Sequence, residues 1–75
     1  MHIELKCFAT LSGFMPENAE TYELSDGSTV RDVLAKLGIP EEDVKIIFIN
    51  GTKQELHSPL SDGDRLGLFP AVGGG

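Results

Sequence analysis

The residues best placed to do chemistry are the last three, Gly73, Gly74 and Gly75. A run without Cβ atoms that ends in a carboxylate can thread a narrow cleft at backbone angles other residues resist. A carboxylate is a poor electrophile, but a partner enzyme that adenylates it with ATP turns it into an anhydride open to attack. A sulfur nucleophile would then leave a thiocarboxylate, and an amine would leave an amide. Gly75 is therefore the expected reactive position, with Gly73 and Gly74 as the slender approach to it. Pro70 fixes φ and donates no N–H, so it is expected to end the ladder of the preceding strand and turn the chain away. This divides the chain into a folded domain over 1–69 and a flexible tail over 70–75, with Val72 as the tail's one larger apolar residue.

Chemistry elsewhere in the chain is sparse. His2 and His57 flank different elements, and no glycine-rich phosphate loop precedes a helix. Cys7 is the single cysteine, which excludes an internal disulfide and suits a reducing cytoplasm. Strand alternation makes it a small core residue, and nothing electropositive is placed to activate it. Glu41, Glu42 and Asp43 read as a solvated connection. Independent catalysis is not expected, nor is a bound metal or cofactor.

Six Lys and Arg against twelve Asp and Glu give a net charge of −6, the wrong sign for tracking a phosphate backbone. The amino-terminal residues alternate and carry charge, so they do not form the apolar core of a signal peptide, and no stretch approaches membrane-spanning length. The expectation is a cytoplasmic protein with neither nucleic acid nor membrane as partner. With 75 residues, one domain is expected, near the size at which a single core becomes marginal.

The elements that must carry the tail follow from periodicity. His2 to Phe8 alternates, with Ile3, Leu5 and Cys7 on one face and Phe8 on the other among charges. Thr10 to Ala19 reads as a loop or broken helical turn, and Thr21 to Leu24 as a short strand. Thr29 and Asp32 have capping-box spacing, and Val30, Val33, Leu34 and Leu37 form one helical stripe. Gly38 suits a left-handed C-terminal cap and Pro40 prevents continuation, giving a helix of about three turns. Val44 to Ile49 is a β-branched run closed by Asn50-Gly51, a type I′ hairpin signal leading into a short fourth strand. Asn50-Gly51-Thr52 also matches a glycosylation acceptor, a reading the absence of a secretory signal disfavours. Arg65 to Phe69 is the last strand, with Leu66 and Leu68 inward and Phe69 outward.

The order β, β, α, β, β, β predicts an α+β fold, a mixed sheet of four to five strands packed on one main helix, in the β-grasp or ubiquitin-like arrangement. One face of the sheet stays open. The first and last strands are neighbours in that arrangement, so Phe8 and Phe69 are expected to form a docking patch at the root of the tail.

Asn50-Gly51, Asp62-Gly63-Asp64-Arg65 and Phe69-Pro70-Ala71-Val72-Gly73-Gly74-Gly75 together resemble the MoaD/ThiS family of ubiquitin-like sulfur carriers. The resemblance covers nearly the whole chain in element order, and its specific motif lies in the last quarter. It implies a thiocarboxylate on Gly75 and a tail, with Gly74 next to its end, that enters an E1-like adenylating enzyme of the MoeB/ThiF type, which uses ATP. It further implies a sulfur-using partner, for a MoaD-like member the MoaE-like large subunit of molybdopterin synthase, with Phe8, Phe69, Pro70 and Val72 at the partner contact. Ala71 stands where the family pattern has a second proline, and Gly73 where Ala or Thr is usual. The connection from Thr10 to Ala19 is read as lacking the short helix common in the family. A carrier for thiazole formation or another acceptor, a protein modifier joined to lysine, and a β-grasp binding module with incidental glycines are the competing readings.

Overall fold

A computed structural model describes residues 1–71 of the chain. The five strands are β1 (His2–Cys7), β2 (Tyr22–Glu23), β3 (Val44–Ile49), β4 (Thr52–Gln54) and β5 (Arg65–Pro70), with one α-helix, α1 (Val30–Leu37), between β2 and β3. They form a single sheet in the order β2-β1-β5-β3-β4. β1 and β5 run parallel at the centre, and the other pairs are antiparallel. This is the β-grasp arrangement.

The core lies between α1 and one face of the sheet. Ile3, Leu5 and Cys7 of β1, Leu66 and Leu68 of β5, and Ile47 and Ile49 of β3 are buried against Val30, Val33 and Leu34 of the helix. Each strand contributes alternate residues, as the period of two requires. The helix starts at a full capping box: the Thr29 N–H donates to Asp32 Oδ2 at 2.9 Å, and the Asp32 N–H to Thr29 Oγ1 at 3.4 Å. Its next two N–H groups, on Val30 and Arg31, donate to the carbonyls of Ser58 and Leu56, so the loop after β4 satisfies the helix end. Gly38 adopts φ 78° and ends the helix in the left-handed cap its position predicts. The helix has eight residues, a little over two turns rather than three, because Thr29 and Gly38 are caps and not part of the ladder.

Three boundaries differ from expectation. β1 ends at Cys7, and Phe8 begins a turn whose first residue, Ala9, has φ 51°. Residues Ala9–Phe14 then form a 3₁₀ helix, so this connection does contain a short helix, with Leu11 buried as a plug. β2 is reduced to Tyr22–Glu23. The third difference concerns Pro70, which belongs to β5 opposite Val44, and the Ala71 N–H donates to the Asp43 carbonyl at 3.2 Å. The proline does not end the strand, because it lacks a donor but keeps a carbonyl and the extended φ that a strand tolerates. Pairing reaches Ala71, two residues beyond the boundary expected at Phe69.

An aromatic face at the root of the tail

The site is built by register. Parallel pairing places Lys6 beside Gly67 and Cys7 beside Leu68, and antiparallel pairing places Phe48 opposite Gly67 and Ile46 opposite Phe69. Paired residues share a face of a sheet, so Phe69, Ile46 and Phe48 all project from the side that α1 does not cover. Phe8 joins them from the end of β1, its N–H donating to the Leu68 carbonyl at 3.0 Å.

There the rings meet. Phe8 and Phe69 stack with centroids 4.3 Å apart and planes within 5°, and Phe48 meets Phe69 edge-on at 5.6 Å and 83°. Offset stacks and edge contacts satisfy the ring quadrupoles, so the cluster is held in place by its own geometry. It is nevertheless open to solvent: Phe8 is 39% exposed, and Phe48 and Phe69 are half-buried. The space between the rings exists because Gly67 has no side chain. A Cβ there would lie 3.6 Å from Phe8, 3.8 Å from Phe69 and 4.0 Å from the Phe48 Cβ. A second hollow, walled by Phe8, Ile46, Phe69 and Pro70, leads to Ala71 and the root of the tail.

Of the residues expected to meet a partner, Phe8 and Phe69 lie together on the open face, and Pro70 closes β5 beside them. Val72, Gly73, Gly74 and Gly75 lie outside the described residues. Sequence reasoning passed over Phe48 and Ile46. Val44 to Ile49 is apolar on both faces, and such a run hides its own parity. Leu66 and Leu68 read as inward from their own strand, but that settles the parity of β3 only once the register pairs them with Ile49 and Ile47.

Cys7 is buried on the opposite face from the rings, and burial raises its thiol pKa. That disfavours the thiolate and leaves the side chain a packing role. Among the described residues no group of three or more His, Cys, Asp or Glu could hold a metal ion. No helix among them is long and apolar enough to cross a membrane.

A sequence model of the ThiS family matches residues 5–75, almost the whole chain. The chain belongs to the ThiS family. Solved structures place this ThiS-family chain among ubiquitin-like relatives of two descriptions. SAMP1 from Haloferax volcanii matches with a TM-score of 0.69 and 26% identity over 100% of both chains. A Pyrococcus furiosus protein described as molybdopterin converting factor, subunit 1, matches with a TM-score of 0.66 and 27% identity over 93% of this chain and 97% of that one. A complex of subunits 1 and 2 of the molybdopterin-converting factor from Helicobacter pylori contains a chain matching with a TM-score of 0.57 and 27% identity, with both chains fully covered. No curated protein sequence matches significantly. The family is that of the MoaD/ThiS ubiquitin-like sulfur carriers and modifiers, as the tail motif implies.

Proposed function

We propose that this protein is a sulfur carrier whose Gly75 carboxylate is adenylated and converted to a thiocarboxylate, with molybdopterin biosynthesis as the destination of the sulfur. The observation that carries the reading is Gly73-Gly74-Gly75 four residues after Phe69, the ring that anchors an open aromatic face, within a chain of the ThiS family. The chemistry balances in two steps. A carboxylate oxygen of Gly75 attacks the α-phosphorus of ATP and pyrophosphate leaves. Hydrosulfide then adds at the activated carbonyl carbon, AMP leaves with the electron pair of the broken C–O bond, and loss of the S–H proton leaves the thiocarboxylate.

This chain supplies the carboxylate, the reach and the docking face. ATP and the catalytic groups belong to an E1-like adenylating partner of the MoeB/ThiF type. The sulfur-using partner is a MoaE-like large subunit, a reading supported by likeness to subunit 1 in the two-subunit Helicobacter pylori complex. The protein is then a cosubstrate and not itself an enzyme, with no cofactor of its own, and its working place is the cytoplasm.

The likeness to SAMP1, described as a small archaeal modifier protein, favours a second reading. On that reading the same adenylate is captured by a lysine of another protein. The test common to both is removal of Gly74 and Gly75. The shortened chain should keep its thermal stability, since the described sheet and core are built within residues 1–71, and lose ATP-dependent adenylation by its cognate activating enzyme. Full adenylation of the shortened chain would refute both readings.

A further inference from the structure

The cations of this acidic protein are not spread evenly. Of six Lys and Arg in a chain of net charge −6, four border the aromatic face. Register places Lys6, Gly67, Phe48 and Lys53 in one row across β1, β5, β3 and β4. Arg65 occupies the next outward position on β5, and the exposed Lys45 lines the hollow beside Phe8 and Phe69. Glu4, paired with Arg65, is the single carboxylate at an outward position of these four strands. At the centre of this mainly cationic ring lies the notch over Gly67, walled by Phe8, Phe48 and Phe69 and flanked by Lys6, Arg65 and the one carboxylate, Glu4.

From this arrangement we propose that the open face recognises a partner surface in which an apolar side chain, set among carboxylates, inserts into the notch over Gly67. The inference rests on the sulfur-carrier reading and specifies the docking surface of the adenylating partner. Charge complementarity decides the occupant. A second copy of this chain would bring the same cationic face to meet its own, and like charges across an interface oppose association. A nucleic acid would find a net negative molecule with phenylalanines at the centre of the patch. An acidic-rimmed apolar protrusion gains on both counts, burying the rings while its carboxylates approach the lysines. The rim charges are exposed, so they act chiefly on encounter and register, and salt must weaken them. The notch acts through shape, independently of salt.

The experiment is steady-state adenylation of this chain by the activating enzyme of its own organism, with ATP saturating and salt varied. KM for the chain should rise about tenfold between roughly 50 and 500 mM salt, with kcat nearly constant. Lys6→Glu with Arg65→Glu should raise KM about tenfold at low salt and flatten the salt dependence. Lys36→Glu, on α1 away from this face, should leave KM within about twofold. Gly67→Val should raise KM at every salt concentration. Its Cβ meets only ordinary contacts and a β-branched residue suits the centre of a strand, and thermal melting of the variant separates a loss of docking from a loss of fold. Adenylation with a KM indifferent to salt, to charge reversal and to Gly67→Val would overturn the inference and leave the sulfur-carrier reading standing. Parent chain that is not adenylated at all would remove that reading and this inference with it.

Discussion

Phe69 touches both other rings of the face, so it is the side chain whose loss should separate docking from folding most clearly. Phe69→Ala removes one stacked and one edge-on aromatic contact, each worth about 0.5–1.5 kcal/mol. The ring is half-buried, so the cost to folding should be well below that of a deleted core phenylalanine. Affinity for the activating enzyme should fall by about 2 kcal/mol or more if the ring is an anchor. Chemical denaturation and partner titration of the one variant measure both quantities. Cys7 makes the opposite case. Its side chain packs with Ile3 and Leu5 beneath the sheet, so Cys7→Ser should lose some stability and keep sulfur transfer. A folded Cys7→Ser chain that cannot be sulfurated would place the thiol in the chemistry. Burial raises the pKa of Cys7 and of Tyr22, so the unfolded chain ionises first as pH rises. Stability is therefore complete below the ordinary thiol and phenol ranges and declines above them, and Cys7→Ser should soften the first part of that decline.

Elements with local signals were legible, and those shaped by packing were not. The capping box at Thr29 and the left-handed Gly38 are dictated by a few neighbouring residues, and both are realised as their spacing predicts. Thr29→Ala should cost about 1 kcal/mol by thermal or chemical melting, since it removes one side of the box. The Asn50-Gly51 turn is equally legible, with φ of 53° and 81°. Its second role was not. Asn50 Oδ1 accepts from the Arg65 N–H and its Nδ2 donates to Asp64 Oδ1, both at 2.9 Å, tying the hairpin to the start of β5. Asn50→Ala should therefore destabilise the fold by about 1–2 kcal/mol, more than loss of a turn preference alone. The 3₁₀ helix over Ala9–Phe14 escaped because the chain reverses at Ala9, a residue with no preference for positive φ, and not at Gly13. What holds it is tertiary: Leu11 enters the core, and no window of local sequence encodes that. The extension of β5 through Pro70 has the same origin, because the pairing that holds it comes from Val44 and Asp43.

For the molecule as a whole, α1 covers one face of the sheet, the rings occupy the other, and Ala71, the last described residue, lies beside them. The parallel β1–β5 pair is what brings Phe8, from one end of the sequence, against Phe69, from the other. That closeness was legible once the element order was known, whereas the third ring depended on a parity that an apolar run conceals. On the sulfur-carrier reading, docking through such a face presents Gly75 to the partner, and everything then depends on the group formed there. ATP consumption cannot separate a carrier from a modifier, since both pass through the same adenylate. Intact-mass measurement can. After incubation with the cognate activating enzyme, ATP and a sulfur donor, the free protein should gain the mass of an oxygen-to-sulfur replacement. Mild hydrolysis should reverse it, and fragmentation should place it on Gly75 and not on Cys7. Recovery of Gly75 mainly in isopeptide linkage to lysines of many proteins, with no thiocarboxylate on the free chain, would contradict the sulfur-carrier account.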